Sequence, residues 1–93
     1  MGAKENQVES YLHKRVVEAG GKSYKWVSPN MAGVPDRIVI MPGGRVYLVE
    51  VKAIDGKLSP VQKRRLAELE RLGAKVYVLY GTEEVDQFME MIC

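Results

Sequence analysis

Apolar residues recur at three- and four-residue steps at Val8, Leu12, Val16 and Ala19, the period of one helical face, and predict a helix over residues 4 to 19. Gly20-Gly21 ends it, as glycine commonly does past a helix C-terminus. The pattern then changes. Residues 22 to 28 (Lys-Ser-Tyr-Lys-Trp-Val-Ser) carry aromatic and β-branched types and read as a strand. A loop from Pro29 to Pro35, punctuated by Asn30 and Gly33, leads to two further strands, Arg37–Met41 and Arg45–Lys52. Pro42-Gly43-Gly44 between them suits the turn of an antiparallel hairpin.

A second helix should start at Ser59 and run to about Leu72, with Leu66, Leu69 and Leu72 as its apolar stripe and Gly73 as its stop. Lys75 to Tyr80 is almost continuously apolar, the pattern of a strand covered on both faces. Thr82 is the expected cap of a last helix whose Val85, Phe88, Met89 and Ile92 share a face. The order helix, three strands, helix, strand, helix predicts one α/β domain over residues 1–93, a mixed sheet flanked by helices.

Composition changes this picture little. Apolar residues at 46% and charged residues at 28% are ordinary for a globular domain. No apolar run nears the ~18 residues of a membrane span, and the polar opening Met1 to Gln7 carries no secretory pattern. The single cysteine, Cys93, can form no internal disulfide, so a reducing, cytoplasmic setting is expected. The net charge is only +2, from 14 basic and 12 acidic residues. Phosphate contacts must therefore come from local clusters. Lys63-Arg64-Arg65, with Lys57 before it, is the densest basic run, and its ordinary reading is a solvated helix face. Lys22, Lys25 and Arg37 are expected nearer the carboxylates described next and are the better phosphate candidates. Tyr24 and Trp26 alternate on one strand face, where packing is the simpler role. His13 has no second His or Cys at ligand spacing and is expected at the surface.

A Glu-x-Lys triplet means little alone, because nine Glu and eight Lys in 93 residues supply roughly one by chance. Context gives Glu50-Val51-Lys52 its value. Asp36 opens one hairpin strand and the triplet closes the next, so antiparallel pairing folds the two ends together. Residues two apart share a strand face, which puts Glu50 and Lys52 on one side and Val49 and Val51 on the other. Two carboxylates and an ammonium then meet beside otherwise apolar strands, a setting that wants ion pairing or a metal. Two hard oxygen donors suit Mg²⁺ or Mn²⁺ rather than zinc. A plain salt bridge at the sheet edge accounts for the spacing equally well.

In the first helix Glu5 falls within the apolar arc and Glu9 at its border. For Glu5 two roles are open, a metal ligand reaching over the sheet, directly or through water, or a favourable acid at the helix N-terminus, and the first is the expectation. For Glu9 a favourable acid near a helix N-terminus suffices. Ser59-Pro60-Val61-Gln62 forms a capping box, with Gln62 reaching back to Ser59. That helix begins a short loop after Lys52, so Gln62 can also face the site.

In order along the chain stand Glu5, Gly20-Gly21, Lys25, Ser28-Pro29, Gly33-Val34-Pro35-Asp36-Arg37, Pro42-Gly43-Gly44, Glu50-Val51-Lys52 and Leu58-Ser59-Pro60-Val61-Gln62. With these the sequence resembles the VRR-NUC family, the virus-type replication–repair nucleases of the PD-(D/E)xK superfamily, in a stand-alone form found in phages and bacteria. The resemblance implies a restriction-endonuclease-like core of order αβββαβα and Mg²⁺- or Mn²⁺-dependent phosphodiester hydrolysis. It implies Asp36, Glu50 and the Val51 carbonyl as metal ligands, Lys52 acting on the attacking water, Glu5 completing the acidic cluster and Gln62 supporting it. Stand-alone members resemble archaeal Holliday-junction resolvases, which implies a homodimer acting on branched DNA without an organic cofactor. Three rivals remain: a monomeric flap nuclease or nickase, a non-cleaving DNA-binding module, and a structural domain whose acids merely pair with lysines.

Overall fold

The computed structural model describes residues 4–93; the opening residues 1–3, part of the polar start and of the 1–93 domain expectation, lie outside the described residues. The elements are α1 (Glu5–Glu18), β1 (Lys22–Lys25), β2 (Arg37–Met41), β3 (Arg45–Lys52), α2 (Pro60–Arg71), β4 (Val76–Tyr80) and α3 (Gly81–Ile92). They follow the expected αβββαβα order. The sheet order is β1-β2-β3-β4, antiparallel through β3 and parallel between β3 and β4. The parallel step is made by α2, the crossover such a pair requires.

Period-2 alternation sorts the strands into two faces. Val39, Met41, Tyr47, Val49, Val51 and Leu79 are buried on the inner face. Val8, Leu12 and Val16 of α1 and Val85, Phe88, Met89 and Ile92 of α3 pack over them in one cluster. Tyr47, Tyr77 and Phe88 meet as an aromatic trio with centroids 5.1–6.0 Å apart. The outer face is covered unevenly. Leu66 of α2 is buried, whereas Tyr24, Ile40 and Val46 remain exposed.

Three expectations change. β1 ends at Lys25 instead of residue 28. Trp26 N–H still donates to the Asp36 carbonyl at 2.9 Å. Beyond it the facing residue would be Pro35, which has no N–H to extend a ladder. Thr82 does not cap α3, which begins at Gly81; the Glu84 carboxylate instead reaches back to accept from Tyr80 N–H at 2.9 Å. Finally, β4 is an edge strand and only Leu79 in it is fully buried. Its apolar run arises because α3 lies over one face and α2 over the other. No helix of the described residues is long and apolar enough to cross a membrane.

Candidate active site

Pro35 is fully buried and delivers the chain to Asp36 at the start of β2. The preceding loop is docked on α2 through Gly33, whose φ is +85° and whose missing Cβ would lie 2.7 Å from the Val61 carbonyl oxygen. Only glycine accommodates both the backbone angle and that approach. That approach, with Arg65 Nε donating to the Ala32 carbonyl at 3.1 Å, fixes the Asp36 loop against α2, in whose first turn Gln62 stands. Asp36 Oδ2 accepts from Val51 N–H at 3.0 Å, tying the start of β2 to the end of β3. The hairpin ends meet as the sequence predicts.

Val49 and Val51 point into the core at 0% exposure, and Glu50 and Lys52 take the opposite face. Glu50 is nevertheless 1% exposed. Its Oε2 accepts from Gln62 Nε2 at 3.1 Å and lies 3.4 Å from Lys52 Nζ. Its Oε1 is buried with no partner among the described residues. Lys52 Nζ also lies 3.5 Å from Glu5 Oε1, so α1 reaches the same spot from the other layer. Gln62 does two things at once. Its Oε1 accepts from Ser59 N–H at 2.9 Å while Ser59 Oγ accepts from Gln62 N–H at 3.2 Å, the capping box; its Nε2 is left for Glu50.

Burial dominates the electrostatics. It pushes Glu50 up from the ordinary glutamate value to about 7, with the neighbouring Asp36 charge adding to the rise and Lys52 opposing it. Burial also raises Asp36, against the lowering effect of its bond from Val51 N–H; Glu9 and Glu5 raise it further. A carboxylate held in a dry place favours its neutral form until a cation arrives. Among the described residues no three His, Cys, Asp or Glu side chains stand ready as a metal cage. The acids instead lean on Lys52, Gln62 and Val51 N–H.

The remaining predicted residues separate. Lys25 and Arg37 are directly opposite each other at the site end of β1 and β2. Lys22 pairs with Ile40 at the other end, so it lies farther from the carboxylates than expected. Lys57 is exposed in the loop between Lys52 and α2, Lys63 is exposed on α2, and His13 is exposed on α1. Tyr24 is exposed on the outer face rather than packed in the core. Sequence reading missed the partnership of Glu9. Its Oε2 accepts from Arg37 Nε at 2.8 Å and lies 3.6 Å from Lys25 Nζ. The signal was its place one helical turn after Glu5, on the side that faces the sheet end.

The profile of the VRR-NUC domain family matches residues 4–83. The chain belongs to the VRR-NUC family. A phage protein named "Putative nuclease p44", from Acyrthosiphon pisum secondary endosymbiont phage 1, is 45% identical over 76 residues, 82% of each chain. A solved VRR-NUC domain superposes with a TM-score of 0.87 at 33% identity, covering 95% of this chain and 97% of its own. A second solved structure, named as a VRR-NUC domain protein, gives a TM-score of 0.75 at 19% identity over 97% and 88%, and shares the fold. This VRR-NUC chain is therefore a nuclease domain, and the expected fold is the observed one.

Proposed function

We propose that this VRR-NUC domain is a divalent-metal-dependent endodeoxyribonuclease that hydrolyses phosphodiesters of branched DNA, and that it works as a homodimer. The observation that carries the chemistry is the buried, unpartnered Oε1 of Glu50 beside Asp36. An oxygen left without a hydrogen bond in a dry place is costly unless a cation completes it. Asp36 and Glu50 offer hard oxygens, the donors Mg²⁺ or Mn²⁺ selects, with the Val51 carbonyl and Glu5 as further ligands. Such an ion, when bound, acidifies water and offsets charge on the phosphate.

The chain's own groups do the rest. Lys52, 11% exposed and 3.4 Å from Glu50, orients the attacking water and meets negative charge developing on the phosphate. Gln62 holds Glu50 by one oxygen and leaves the other for the metal. Lys25, Arg37, Lys57 and Lys63, with Lys22 farther out, contact the DNA backbone. The branched substrate and the homodimer rest on the likeness to junction resolvases: two sites on a symmetric particle can cut both strands of a junction.

The test uses purified protein with labelled four-way junction, flap and linear duplex, in Mg²⁺, Mn²⁺ or EDTA. Cutting of the junction with metal and none in EDTA is expected; no cutting of any substrate with either metal overturns the reading. Light scattering at micromolar concentration should give twice the monomer mass. One observation favours a second reading. Lys52 bridges Glu50 and Glu5 and so pairs both acids with a cation of the chain itself, as a non-cleaving DNA clamp would have it. Binding of the junction without cutting would select that reading.

A further inference from the structure

Glu9 is drawn into an ion-pair group that the proposed chemistry does not use. Its side chain is 15% exposed and that of Arg37 is 18% exposed. Arg37 spends Nε on Glu9 at 2.8 Å and Nη1 on the Ser23 carbonyl oxygen at 3.4 Å. Its Nη2 makes no hydrogen bond among the described residues, and the side chain keeps part of its surface open to solvent. Lys25, whose side chain is 64% exposed, faces Arg37 directly across the β1–β2 pair and shares the same Glu9 oxygen.

Two like charges directly opposite on neighbouring strands repel, and one cation would have satisfied Glu9. The arrangement keeps both cations on one carboxylate and leaves a net positive charge. Arg37 also follows Asp36 in the chain, so this surplus stands at the rim of an otherwise acidic site. A guanidinium held by Nε presents its remaining N–H groups in a fixed plane, the geometry that grips a phosphate.

We propose that Glu9 is a positioning residue: it holds Arg37 through Nε so that the free edge of the guanidinium, with Lys25 beside it, grips a DNA phosphate next to the one that is cut. The assignment rests on the DNA substrate proposed above. It makes Glu9 neither a metal ligand nor only a structural acid.

The sign of one substitution decides it. Glu9→Gln removes a negative charge, and charge alone would tighten DNA binding. Loss of positioning does the opposite. Junction binding measured in EDTA should weaken about tenfold in Glu9→Gln, the scale of one charge-assisted hydrogen bond. In Mg²⁺ the same variant should show a raised KM, a kcat within about twofold of the parent and an unchanged half-saturating Mg²⁺ concentration. Equal or tighter binding overturns the proposal, as does a shift in the Mg²⁺ requirement.

Arg37→Gln should bind about tenfold more weakly and lower the salt slope of binding by roughly one. Adding Glu9→Gln to it should cost nothing more, and additive losses would show that Glu9 acts by another route. Circular dichroism checks each variant. If Glu9→Gln does not fold, Arg37→Gln and Lys25→Gln carry the test, and unchanged affinity and salt slope in both overturn it. The EDTA arms need no cleavage, so a parent protein that binds but never cuts defeats the nuclease reading and leaves this one decided separately.

Discussion

At Glu50 the two faces of β3 are equally dry and chemically opposite, although elsewhere the outer face opens to solvent, as at Val46. Val49 and Val51 on the inner face are 0% exposed and Glu50 on the outer face is 1% exposed. The inner face is dry because α1 and α3 press apolar side chains onto it, which is what burial usually rewards. The outer face is dry at Glu50 where α2 meets it, with Gln62 of that helix bonded to the carboxylate. Among the described residues only Gln62 and Lys52 compensate it, and one oxygen is left without a partner. Stability explains the first arrangement and argues against the second. That contrast is the physical ground for the proposed site on the outer face.

The largest expected effects break the outer face alone. Asp36→Ala, Glu50→Ala and Lys52→Ala should each reduce junction cleavage by at least about 100-fold while the circular dichroism spectrum and DNA binding persist. Cleavage at the parent rate by any one of them would remove that residue from the site. The inner face should answer in the other currency. Phe88→Ala, which empties a fully packed position against Tyr47 and Tyr77, should lower unfolding free energy by about 3–5 kcal/mol in urea titration. Cutting by the fraction still folded should be unimpaired.

A second comparison uses pH. Val49 and Val51 carry no ionisable group, whereas Glu50 between them has its value raised to about 7 in the folded chain. A raised carboxyl favours the protonated form on folding, so the stability linked to it is fully present below the unfolded value near 4.5. It is lost as pH rises from there through about 7. The loss is on the order of 3 kcal/mol. Glu50→Gln should abolish this slope and be more stable than the parent at pH 8, with the two converging toward pH 4.5. Metal-free protein followed by urea titration across that range checks it; a parent no less stable at pH 8 than at pH 5 would contradict the sign.

These contrasts show what could be read from the sequence. The convergence of Asp36, Glu50 and Lys52 was legible because it depends on local rules: a short turn, antiparallel pairing and two-residue alternation. What escaped depends on partners distant in the chain. The end of β1 is set by Pro35 on the facing side, and α3 starts at Gly81 with no side-chain cap, Glu84 reaching back to Tyr80 N–H instead. The edge position of β4 was hidden because α2 and α3 make an edge strand look interior. Glu9 was read as an ordinary helix acid because Arg37, its partner, lies 28 residues away. Local periodicity puts Glu9 on the side of the sheet end but does not name its partner there.

The smallest expected effect falls on the residue that joins the two roles. Gln62 caps α2 with its Oε1 and holds Glu50 with its Nε2, so a change to alanine damages both and cannot apportion them. Gln62→Glu separates them. A carboxylate can still accept from Ser59 N–H, and the acid near the helix N-terminus is favourable, so the cap is kept. It cannot donate to Glu50, and it places a third acid beside Asp36 and Glu50. Cleavage should fall about tenfold with stability within about 1 kcal/mol of the parent, whereas Ser59→Ala should lower stability by about 1 kcal/mol and leave cleavage nearly unchanged. Parallel melting curves and single-turnover rates on both variants distinguish the roles. If Gln62→Glu cuts at the parent rate, Gln62 belongs to the helix alone and the outer face depends only on Lys52 to hold its buried acid.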